Sequence, residues 1–497
     1  MSRSPGARQM IGLVADADSW KSWDHSITTV HDADYRSELE RARERTGVDE
    51  AVITGTATVR GHHVALIVGE FGFLGGSIGV DAGRRIADAM RHATSQNLPI
   101  LALPTSGGTR MQEGTTAFVQ MVRITAAVQA HKAAGLLYLV YLRHPTTGGV
   151  LASWGSLGHV TLAEPGALVG FLGPRVYETM TGVAFPNGIQ TSENLHEQGI
   201  VDSVISPVHI ADEISAILDI VQRRHPMRCT SAARGANPMR QPSSWACVQR
   251  SRSPQRPGIR ALLADARVAY SRLSGSGEAD IDDAIVVALA SIDGQPCVLV
   301  AQDRAATAPI GVQGLRIARR GFRLADELKL PLVTVIDTAG AELSARAESN
   351  GLAGQIARCI AELMSVSVPS VSLILGQGAG GAALALLPTD RILAAEHGWL
   401  SPLPPEGASA IVYRDTTHAA EIAEHQGIGS ADLARSGLVD IVIDEGHSMD
   451  SEPQWFVHDV LNALSRELAA PVREHAARNS PRLRRFDEVA VVRPAHA

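Results

Sequence analysis

The chain has 497 residues, of which 45 are basic and 52 acidic, and its net charge of −7 disfavours general nucleic-acid binding. No apolar run reaches the roughly 18 residues of a membrane span and no apolar signal core opens the chain, which predicts a cytoplasmic protein without a membrane segment. The four cysteines have no CxxC spacing, so we expect reduced thiols and neither a disulfide framework nor a zinc or other metal site.

Strand-like and helical segments alternate through the first half of the chain. Residues 9–46 are predicted to form a helical lead-in, and residues 56–68 alternate around Gly61 like a β-hairpin. The next predicted elements are a helix over 84–93, a strand over 98–103, a helix over 115–134 and a strand over 136–142. This β-α-β-α order predicts an α/β fold with a mainly parallel, buried sheet.

The second half repeats landmarks of the first at a constant spacing of 232 residues (330 − 98), which we call the repeat offset. Three pairs of landmarks share it: Leu98 with Leu330, Gly148 with Gly380, and Glu164 with Glu396. Because all three pairs keep one register, the sequence predicts two homologous domains that arose by duplication.

A stretch rich in proline and arginine separates the two copies. It contains His225-Pro226, Asn237-Pro238 and the run SPQRPG over 253–258, with few apolar residues. We therefore expect an N-terminal domain over residues 1–224, an exposed linker over 225–258 and a C-terminal domain over 259–497.

Glycine pairs follow buried strands at equivalent positions in both copies. Without a Cβ atom the backbone can adopt positive φ angles and approach a ligand closely, and N–H groups at the start of a following helix lack intrahelical partners. Two such donors aimed at one oxygen form an oxyanion hole, which contributes roughly 3–4 kcal/mol per donor. The candidate catalytic residues are Gly107, Gly108, Gly148 and Gly149 in the first copy and Gly340, Gly380 and Gly381 in the second.

Two familiar motifs offer other interpretations. GQGAGG over 376–381 matches the GxGxxG dinucleotide fingerprint, but the equivalent segment of the first copy lacks the first two glycines, so a nicotinamide site is disfavoured. GGSIG over 75–79 matches the GxSxG motif of serine hydrolases. No Asp and His stand out as partners for Ser77, so this interpretation is disfavoured as well.

Eight segments together resemble a known family. GGSIG (75–79), SGGTRMQEG (106–114), PTTGGV (145–150) and AEPGALVGF (163–171) resemble the β subunit of bacterial acetyl-CoA carboxylase carboxyltransferase. SPQRP (253–257), IDTAGA (336–341), GQGAGG (376–381) and SPLPPEG (401–407) resemble the α subunit, in the same order. The chain therefore resembles a fused β–α carboxyltransferase, without the four-cysteine zinc ribbon usual in bacterial β subunits and with DTAGA where the α subunit has DTPGA.

The resemblance implies a duplicated crotonase-like (ClpP/crotonase) ββα superhelix, with the acyl-CoA side in the first domain and the biotin side in the second. It also implies residues that contact these two groups: Gly75, Gly76, Ser77, Arg110, Gly170, Phe171, Glu406 and Gly407. In such enzymes a biotin carboxylase and a separate biotin carboxyl carrier protein deliver carboxybiotin, and no cofactor is bound covalently. The acyl-CoA site of one protomer faces the biotin site of another, which implies a homodimer or a trimer of dimers.

The implied reaction moves a carboxyl group from carboxybiotin to acetyl-CoA, or to another short acyl-CoA, and yields malonyl-CoA for fatty acid biosynthesis. Gly380 and Gly381 would hold the biotin ureido oxygen as CO₂ leaves. Gly148 and Gly149, helped by Gly107 and Gly108, would hold the thioester enolate oxygen, so no side-chain base is required. Two alternatives stay open from the sequence: a biotin-independent decarboxylase of malonyl-type thioesters, and a non-catalytic assembly partner of the carboxylase.

Overall fold

The computed structural model describes residues 5–25, 27, 32–222, 242–446, 453–470 and 485–486. The chain divides into two compact units, one comprising Met1–Leu218 with Gly277–Ala279 and the other comprising Asp219–Ser276 with Asp280–Ala497. Each unit contains one seven-stranded sheet. The two units are described separately below.

The first unit contains a mixed sheet that is parallel from its third strand onward. Its strands are β1 (Lys21–Ser22), β2 (Val52–Val59), β3 (His62–Gly69), β4 (Ile100–Leu103), β5 (Tyr138–Leu142), β6 (Thr146–Thr147), β7 (Val160–Ala163), β8 (Val169–Gly170) and β9 (Ser203–Val204). The large sheet has the order β1-β2-β3-β4-β5-β7-β9, and β6 pairs with β8 alone. Arg60 and Gly61, between β2 and β3, both have positive φ angles (48° and 85°), as a tight hairpin turn requires.

The helices of the first unit cover this sheet with apolar faces. They are α1 (Ala7–Val14), α2 (Ala33–Thr46), α3 (Val80–Ser95), α4 (Gly114–Phe118), α5 (Gln120–Ala133), α6 (Gly148–Val150), α7 (Pro174–Thr181), α8 (Ser192–Glu197) and α9 (Ile210–Gln222). Ile86 and Met90 of α3 and Ile124 and Val128 of α5 belong to one buried core with strand residues such as Ile67. Their four-residue spacing places them on one face of each helix.

The second unit repeats this arrangement. Its strands are β10 (Val268–Leu273), β11 (Ile285–Ile292), β12 (Gln295–Gln302), β13 (Leu332–Thr338), β14 (Ser370–Gly378), β15 (Arg391–Ala395) and β16 (Ile441–Ile443), in that order across the sheet. Its helices are α10 (Ser244–Ser251), α11 (Ile259–Leu263), α12 (Val312–Leu328), α13 (Ala345–Ser349), α14 (Leu352–Ser365), α15 (Gly380–Leu384), α16 (Pro405–Val412), α17 (Ala419–Gln426), α18 (Ser430–Arg435) and α19 (Pro453–Ala469). The prediction of mainly parallel sheets is therefore confirmed in both units.

Strand register repeats along with strand order. Ile100 of β4 pairs with Tyr138 of β5, and Leu332 of β13 pairs with Ser370 of β14. Both members of the second pair follow those of the first by the repeat offset. The turns that follow these four strands consequently occupy equivalent places in the two units.

Three predicted elements differ from the structure. The lead-in expected over 9–46 is not helical throughout, because strand β1 lies between α1 and α2. The single helix expected over 115–134 is two helices, α4 and α5, which meet at Val119. Helix α3 begins at Val80, earlier than its expected start at Arg84, because the Glu113 side chain accepts a 2.5 Å hydrogen bond from the Val80 N–H and so satisfies a donor in the first turn.

The stretch expected to be an exposed linker is folded where it is described. Residues 223–241 lie outside the described residues, but Ser244–Ser251 is a helix whose Cys247 and Val248 are buried. Arg256 is also buried, with 4% of its surface exposed, because its guanidinium pairs with the carboxylate of Glu445, 189 residues away. The arginines of this stretch suggested an exposed linker. That prediction was wrong for Arg256, because its paired carboxylate is remote in sequence and could not be recognised.

The structure also bears on the expectations from bulk composition. In the part of the chain that the structure describes, no helix combines the length and the apolar character needed to cross a membrane. Over the same residues, no group of three or more His, Cys, Asp and Glu side chains could hold a metal ion. Cys247, Cys297 and Cys359 are buried free thiols.

Candidate functional site

The glycine turns of the first unit lie against each other at the carboxyl ends of β4 and β5. A Cβ atom on Gly148 would stand 3.2 Å from the Cα of Gly108, and one on Gly108 would stand 3.5 Å from the Cα of Gly148. Both residues have positive φ angles, 62° for Gly148 and 113° for Gly108. Glycine is required here both for the backbone conformation and for the close approach of the two turns.

Most of the predicted donors in the first unit are used inside the protein. The Gly107 N–H donates to the Gly75 carbonyl at 2.8 Å, and the Gly108 N–H donates to Ser106 Oγ at 2.9 Å. The Gly148 N–H donates to the Phe171 carbonyl at 2.9 Å. The expectation that these three N–H groups serve as free oxyanion donors is therefore wrong, because internal acceptors occupy them.

Gly149 differs from these three residues. It is the second residue of α6, where no intrahelical acceptor is available, and no side chain caps that helix. Among the described residues, no acceptor is recorded for its N–H group. Its α-carbon faces Thr109 Oγ1 and Met121 Cγ, which would lie 3.2 and 3.3 Å from an added Cβ.

The equivalent glycines of the second unit also have internal acceptors. The Gly340 N–H donates to Thr338 Oγ1 at 3.1 Å, as Gly108 does to Ser106. The Gly380 N–H donates to the Ser401 carbonyl at 2.9 Å, so Gly340 and Gly380 are internal donors too, contrary to expectation. Gly381, the equivalent of Gly149, is the second residue of the uncapped helix α15 and has no recorded acceptor in the described chain.

Close packing surrounds Gly381 as well. A Cβ atom added there would lie 2.7 Å from Ile356 Cδ1 of helix α14. Sequence analysis missed Ile356, and it missed Met121 and Thr109 around Gly149, because nothing local in the sequence marks a residue as the neighbour of a distant turn.

The residues expected near coenzyme A in the first unit cluster around the same turns. Gly75 and Gly76 have φ angles of 67° and 63°, and a Cβ on Gly76 would collide with the Thr105 carbonyl oxygen. Gly170 ends strand β8, which pairs with β6 directly before Gly148. Phe171 is 63% exposed, and its backbone carbonyl accepts a hydrogen bond from the Gly148 N–H. The structure thus brings these four predicted residues together with the Gly148–Gly149 turn.

Arg110 does not fit its expected role as a residue free to contact acyl-CoA or biotin. Its residue surface is 1% exposed, and its guanidinium pairs with both carboxylate oxygens of Glu50. Although burial opposes its charge, the hydrogen bond and charge of Glu50 hold the pKa of Arg110 above its usual value. It also donates to Ser77, at the carbonyl (2.7 Å) and at Oγ (3.3 Å), so Ser77 is hydrogen-bonded to this buried cation.

Glu406 and Gly407 begin helix α16 of the second unit. Arg252 donates to the two Glu406 oxygens at 2.6 and 2.9 Å, and this bond is the largest influence lowering the pKa of Glu406. Arg252 Nε also lies 3.4 Å from Gln377 Oε1. Glu406, a predicted substrate contact, thus forms an ion pair in this structure, and its arginine comes from the expected linker.

Two buried carboxylates lie at the strand ends of the second unit. Burial opposes ionisation of Glu445, but Arg256 and His397 outweigh it and lower its pKa to about 2. Burial raises the pKa of Asp337, although Arg304 opposes this from 3.8 Å. Asp337 accepts a 3.0 Å bond from the Gln377 N–H and therefore braces β14 close to where α15 begins.

The two disfavoured motifs receive no support from the geometry. The residues of GQGAGG run along strand β14 through Gly378 and lead into a helix of only five residues. The Ser77 hydroxyl oxygen accepts from the Arg110 guanidinium, which cannot act as a general base.

Comparison with known proteins decides the family. The model of the carboxyl transferase domain matches residues 7–473. The chain belongs to the carboxyl transferase family. A Mycobacterium tuberculosis protein described as a probable biotin-dependent acyl-coenzyme A carboxylase beta3 subunit is 51% identical over 491 residues, 96% of this carboxyltransferase and 98% of the relative. The fused beta/alpha carboxyl transferase subunits of acetyl-coenzyme A carboxylase from Clostridium tetani are 32% identical, over 88% of this chain and 79% of theirs.

Solved structures agree on the fold. A transcarboxylase 12S structure has a TM-score of 0.71 at 21% identity, covering 95% of this carboxyltransferase and 92% of that chain. The predicted duplicated crotonase-like fold is confirmed. The resemblance to fused β–α carboxyltransferases is confirmed as well.

Proposed function

We propose that this carboxyltransferase moves the carboxyl group of carboxybiotin, carried by a separate protein, to acetyl-CoA or another short acyl-CoA. With acetyl-CoA the product is malonyl-CoA, the substrate of chain extension in fatty acid biosynthesis. Relatives named as acetyl-coenzyme A carboxylase subunits support acetyl-CoA. The relative named as a general acyl-coenzyme A carboxylase subunit supports a wider range of short acyl groups.

One observation carries the proposal: among the candidate catalytic glycines, which the structure describes, one in each unit has an N–H without an acceptor, and the two occupy equivalent places. Gly149 and Gly381 are separated by the repeat offset, and each is second in a helix that begins directly after a strand-end turn. The preceding glycine N–H is already bonded in both units. A reaction that creates negative charge on two different oxygens needs two such donors in a fixed position.

In the first unit, Gly149 would donate its N–H to the thioester oxygen when that oxygen becomes an enolate. Gly108 and Gly148 hold the turn in place by their close approach, and the Phe171 carbonyl fixes Gly148. Donors that are fixed before the reaction stabilise the developing charge without reorganising. This donor stabilises the transition state more than the bound substrate and therefore raises kcat.

In the second unit, Gly381 would donate to the ureido oxygen of biotin. As the N–C bond of carboxybiotin breaks, CO₂ leaves and the bonding electrons remain on the urea group. The urea nitrogen then takes a proton from the α-carbon of the acyl thioester, and the resulting enolate attacks CO₂. No protein side chain gains or loses a proton in this sequence, which agrees with Arg110, Glu406 and Glu445 all being held in ion pairs.

The proposal includes partners and an assembly. A biotin carboxylase and a biotin carboxyl carrier protein would supply carboxybiotin, and the chain would form a homodimer or a trimer of dimers. The transcarboxylase 12S structure is described as a hexamer, which supports the larger assembly. A cytoplasmic location is proposed on the basis of the buried free thiols.

Reconstitution tests the proposal directly. The purified chain is combined with its cognate biotin carboxylase, biotinylated carrier protein, ATP and labelled bicarbonate, and acyl-CoAs of increasing length are compared. We expect label in malonyl-CoA or methylmalonyl-CoA and none when the carrier is omitted. No transfer to any short acyl-CoA would reject the proposal, and release of CO₂ from malonyl-CoA without any biotin acceptor would indicate a decarboxylase instead.

A further inference from the structure

The segment that carries Gly107 and Gly108 is fastened to the Gly75–Ile78 loop along its whole length. The Gly107 N–H donates to the Gly75 carbonyl at 2.8 Å, the Ile78 N–H donates to the Gly108 carbonyl at 2.9 Å, and the Arg110 N–H donates to the Ile78 carbonyl at 3.0 Å. The two segments therefore move together, and whatever fixes one also fixes the turn that packs against Gly148.

The buried Arg110 side chain adds further bonds between the glycine segment and the Gly75–Ile78 loop. Its guanidinium donates to the Ser77 carbonyl at 2.7 Å and forms a two-pronged ion pair with Glu50, in which the residue surfaces are 1% and 2% exposed. It also lies over the Phe73 ring, with Cζ 5.5 Å from the ring centre. A rigid, planar group with donors on several sides is needed to reach Glu50 and Ser77 at once.

A second carboxylate extends the same network. Glu113 Oε1 accepts from the Tyr35 hydroxyl at 2.5 Å and from Arg110 at 3.4 Å, and its other oxygen accepts from the Val80 N–H at the start of α3. Helix α2, through Tyr35, and helix α3, through Val80, are thereby both connected to Arg110. The glycine segment is held against two helices as well as against the loop.

The second unit has the equivalent of the hydrogen bond from the Arg110 N–H to the Ile78 carbonyl, but it has no arginine at the position of Arg110. At the position one repeat offset after Arg110, Glu342 donates its N–H to the Ile310 carbonyl at 2.9 Å, as Arg110 does to Ile78. The Glu342 carboxylate accepts from the Ser344 hydroxyl at 2.6 Å. The position equivalent to Arg110 in the second unit therefore has no guanidinium, and the network is not a general requirement of the repeated turn.

We propose that Arg110 is a positioning residue for the first-unit glycine turns, which it holds against the Gly75–Ile78 loop through Glu50 and Ser77. This rests on the proposed function, in which Gly149 acts on the thioester oxygen. Arg110 acts through Gly108 and Gly148 and touches neither substrate. A turn displaced by about 1 Å costs on the order of a hundredfold in rate, whereas ground-state binding of coenzyme A through other contacts is unaffected.

The test separates positioning from phosphate binding. Arg110→Lys keeps the charge but cannot bond Glu50 and Ser77 together. In the reverse reaction, with malonyl-CoA as donor and biocytin as acceptor, we expect kcat to fall at least about tenfold. The Kd for coenzyme A, and its ratio to the Kd for 3′-dephospho-coenzyme A, should stay within about twofold of the wild-type values when measured by calorimetry. Arg84→Lys is the matched control, because Arg84 is an exposed arginine on α3.

A second variant tests the proposal independently in case Arg110→Lys fails to fold. Glu50→Gln keeps the shape of the pair and removes its charge, and we expect the same loss in kcat with little change in Kd. A tenfold weaker Kd with unchanged kcat would overturn the proposal in favour of a phosphate contact, and unchanged kcat in both variants would overturn it outright. If both variants unfold, Arg110 is a stability element and the proposal is rejected. Inactivity of the wild-type protein would instead reject the proposed function.

Discussion

A Cβ atom on Gly148 would lie 3.2 Å from the Cα of Gly108, so the two glycine turns of the first unit meet backbone to backbone. Each turn follows a different parallel strand, and the strands bring the turns to one edge of the sheet. The contact explains why these two residues, which are distant in sequence, must both be glycine. It also predicts the consequence of adding a single methyl group.

Gly148→Ala should lower both stability and turnover. Alanine at a φ of 62° costs about 1–2 kcal/mol, and the methyl group must push the Gly108 turn away from Gly149. We expect the free energy of unfolding to fall by about that amount and kcat to fall at least about tenfold. Urea unfolding and carboxyl transfer measure the two effects.

Gly61→Ala is the matched control for this variant. Gly61 has a φ of 85° in the β2–β3 turn, and an added Cβ would meet no atom within 4 Å. It should lose similar stability and keep wild-type kcat. Equal kcat in the two variants would show that the contact between the turns has no part in the reaction.

Gly149→Val and Gly381→Val test the two donors, one in each unit. The added side chain would press on Met121 in one case and on Ile356 in the other and turn the N–H away from its oxygen. Because one lost donor costs about a hundredfold or more, each variant should cut turnover at least about a hundredfold while the fold survives. Gly12→Ala, on helix α1 with no atom within 4 Å of the new Cβ, should keep its activity. Rates near wild type in either valine variant would remove that residue from the mechanism.

Glu445→Ala should be strongly destabilising. The substitution leaves the Arg256 guanidinium buried without its carboxylate, and breaking such a pair costs about 3–5 kcal/mol. The midpoint of urea unfolding measures the loss. Asp212→Asn removes the carboxylate of the exposed Arg60–Asp212 pair and should change stability by less than about 1 kcal/mol. Similar losses in the two variants would contradict the buried role of Glu445.

The lowered pKa of Glu445 predicts that the free energy of unfolding falls at acid pH. Its pKa in the folded protein is about 2, below the ordinary 4.5, so folding favours the ionised form. This contribution is complete above pH 4.5 and is lost as the pH falls from there through about 2. Glu445→Gln should therefore show a flatter fall in unfolding free energy between these pH values than wild type. Parallel curves would argue against the pKa assigned to this group.

The buried thiols should be inert in the folded protein. Burial raises the pKa values of Cys247, Cys297 and Cys359 to about 12, so almost no thiolate is present near neutral pH. Cys229→Ser removes the one cysteine outside the described residues. In the native state, less than one equivalent of thiol in this variant should react with a disulfide reagent. In urea, all three remaining thiols should react. Rapid native reaction would contradict the burial of these side chains.

Local pattern was enough to predict the strands and most helices. The hairpin around Gly61 and the strands that begin near Leu98 and Leu330 follow from alternation and apolar runs. The break between α4 and α5 at Val119 was missed because no glycine or proline marks it. The early start of α3 was missed because the acceptor for its first turn, Glu113, comes 33 residues later.

Ion pairs across the chain explain the errors in the predictions for arginines. Arg110, Arg252 and Arg256 looked like surface or ligand-binding arginines because a sequence shows charge without showing the partner. Their carboxylates, Glu50 and Glu406 among them, lie 60 and 154 residues away from the arginines that they hold. Only folding brings these groups into contact.

The sequence by itself determined the duplication, the strand-end glycines and the family, because these depend on residue identity and on spacing along the chain. Tertiary structure decided which glycine N–H groups remain available. The candidate glycines looked equivalent as donors, but hydrogen-bond acceptors occupy all except those of Gly149 and Gly381 among the described residues. Some acceptors come from remote segments, such as the Phe171 and Ser401 carbonyls, and others are the hydroxyls two residues before Gly108 and Gly340. A donor is free only when no folded neighbour reaches it, and that is a property of three-dimensional packing.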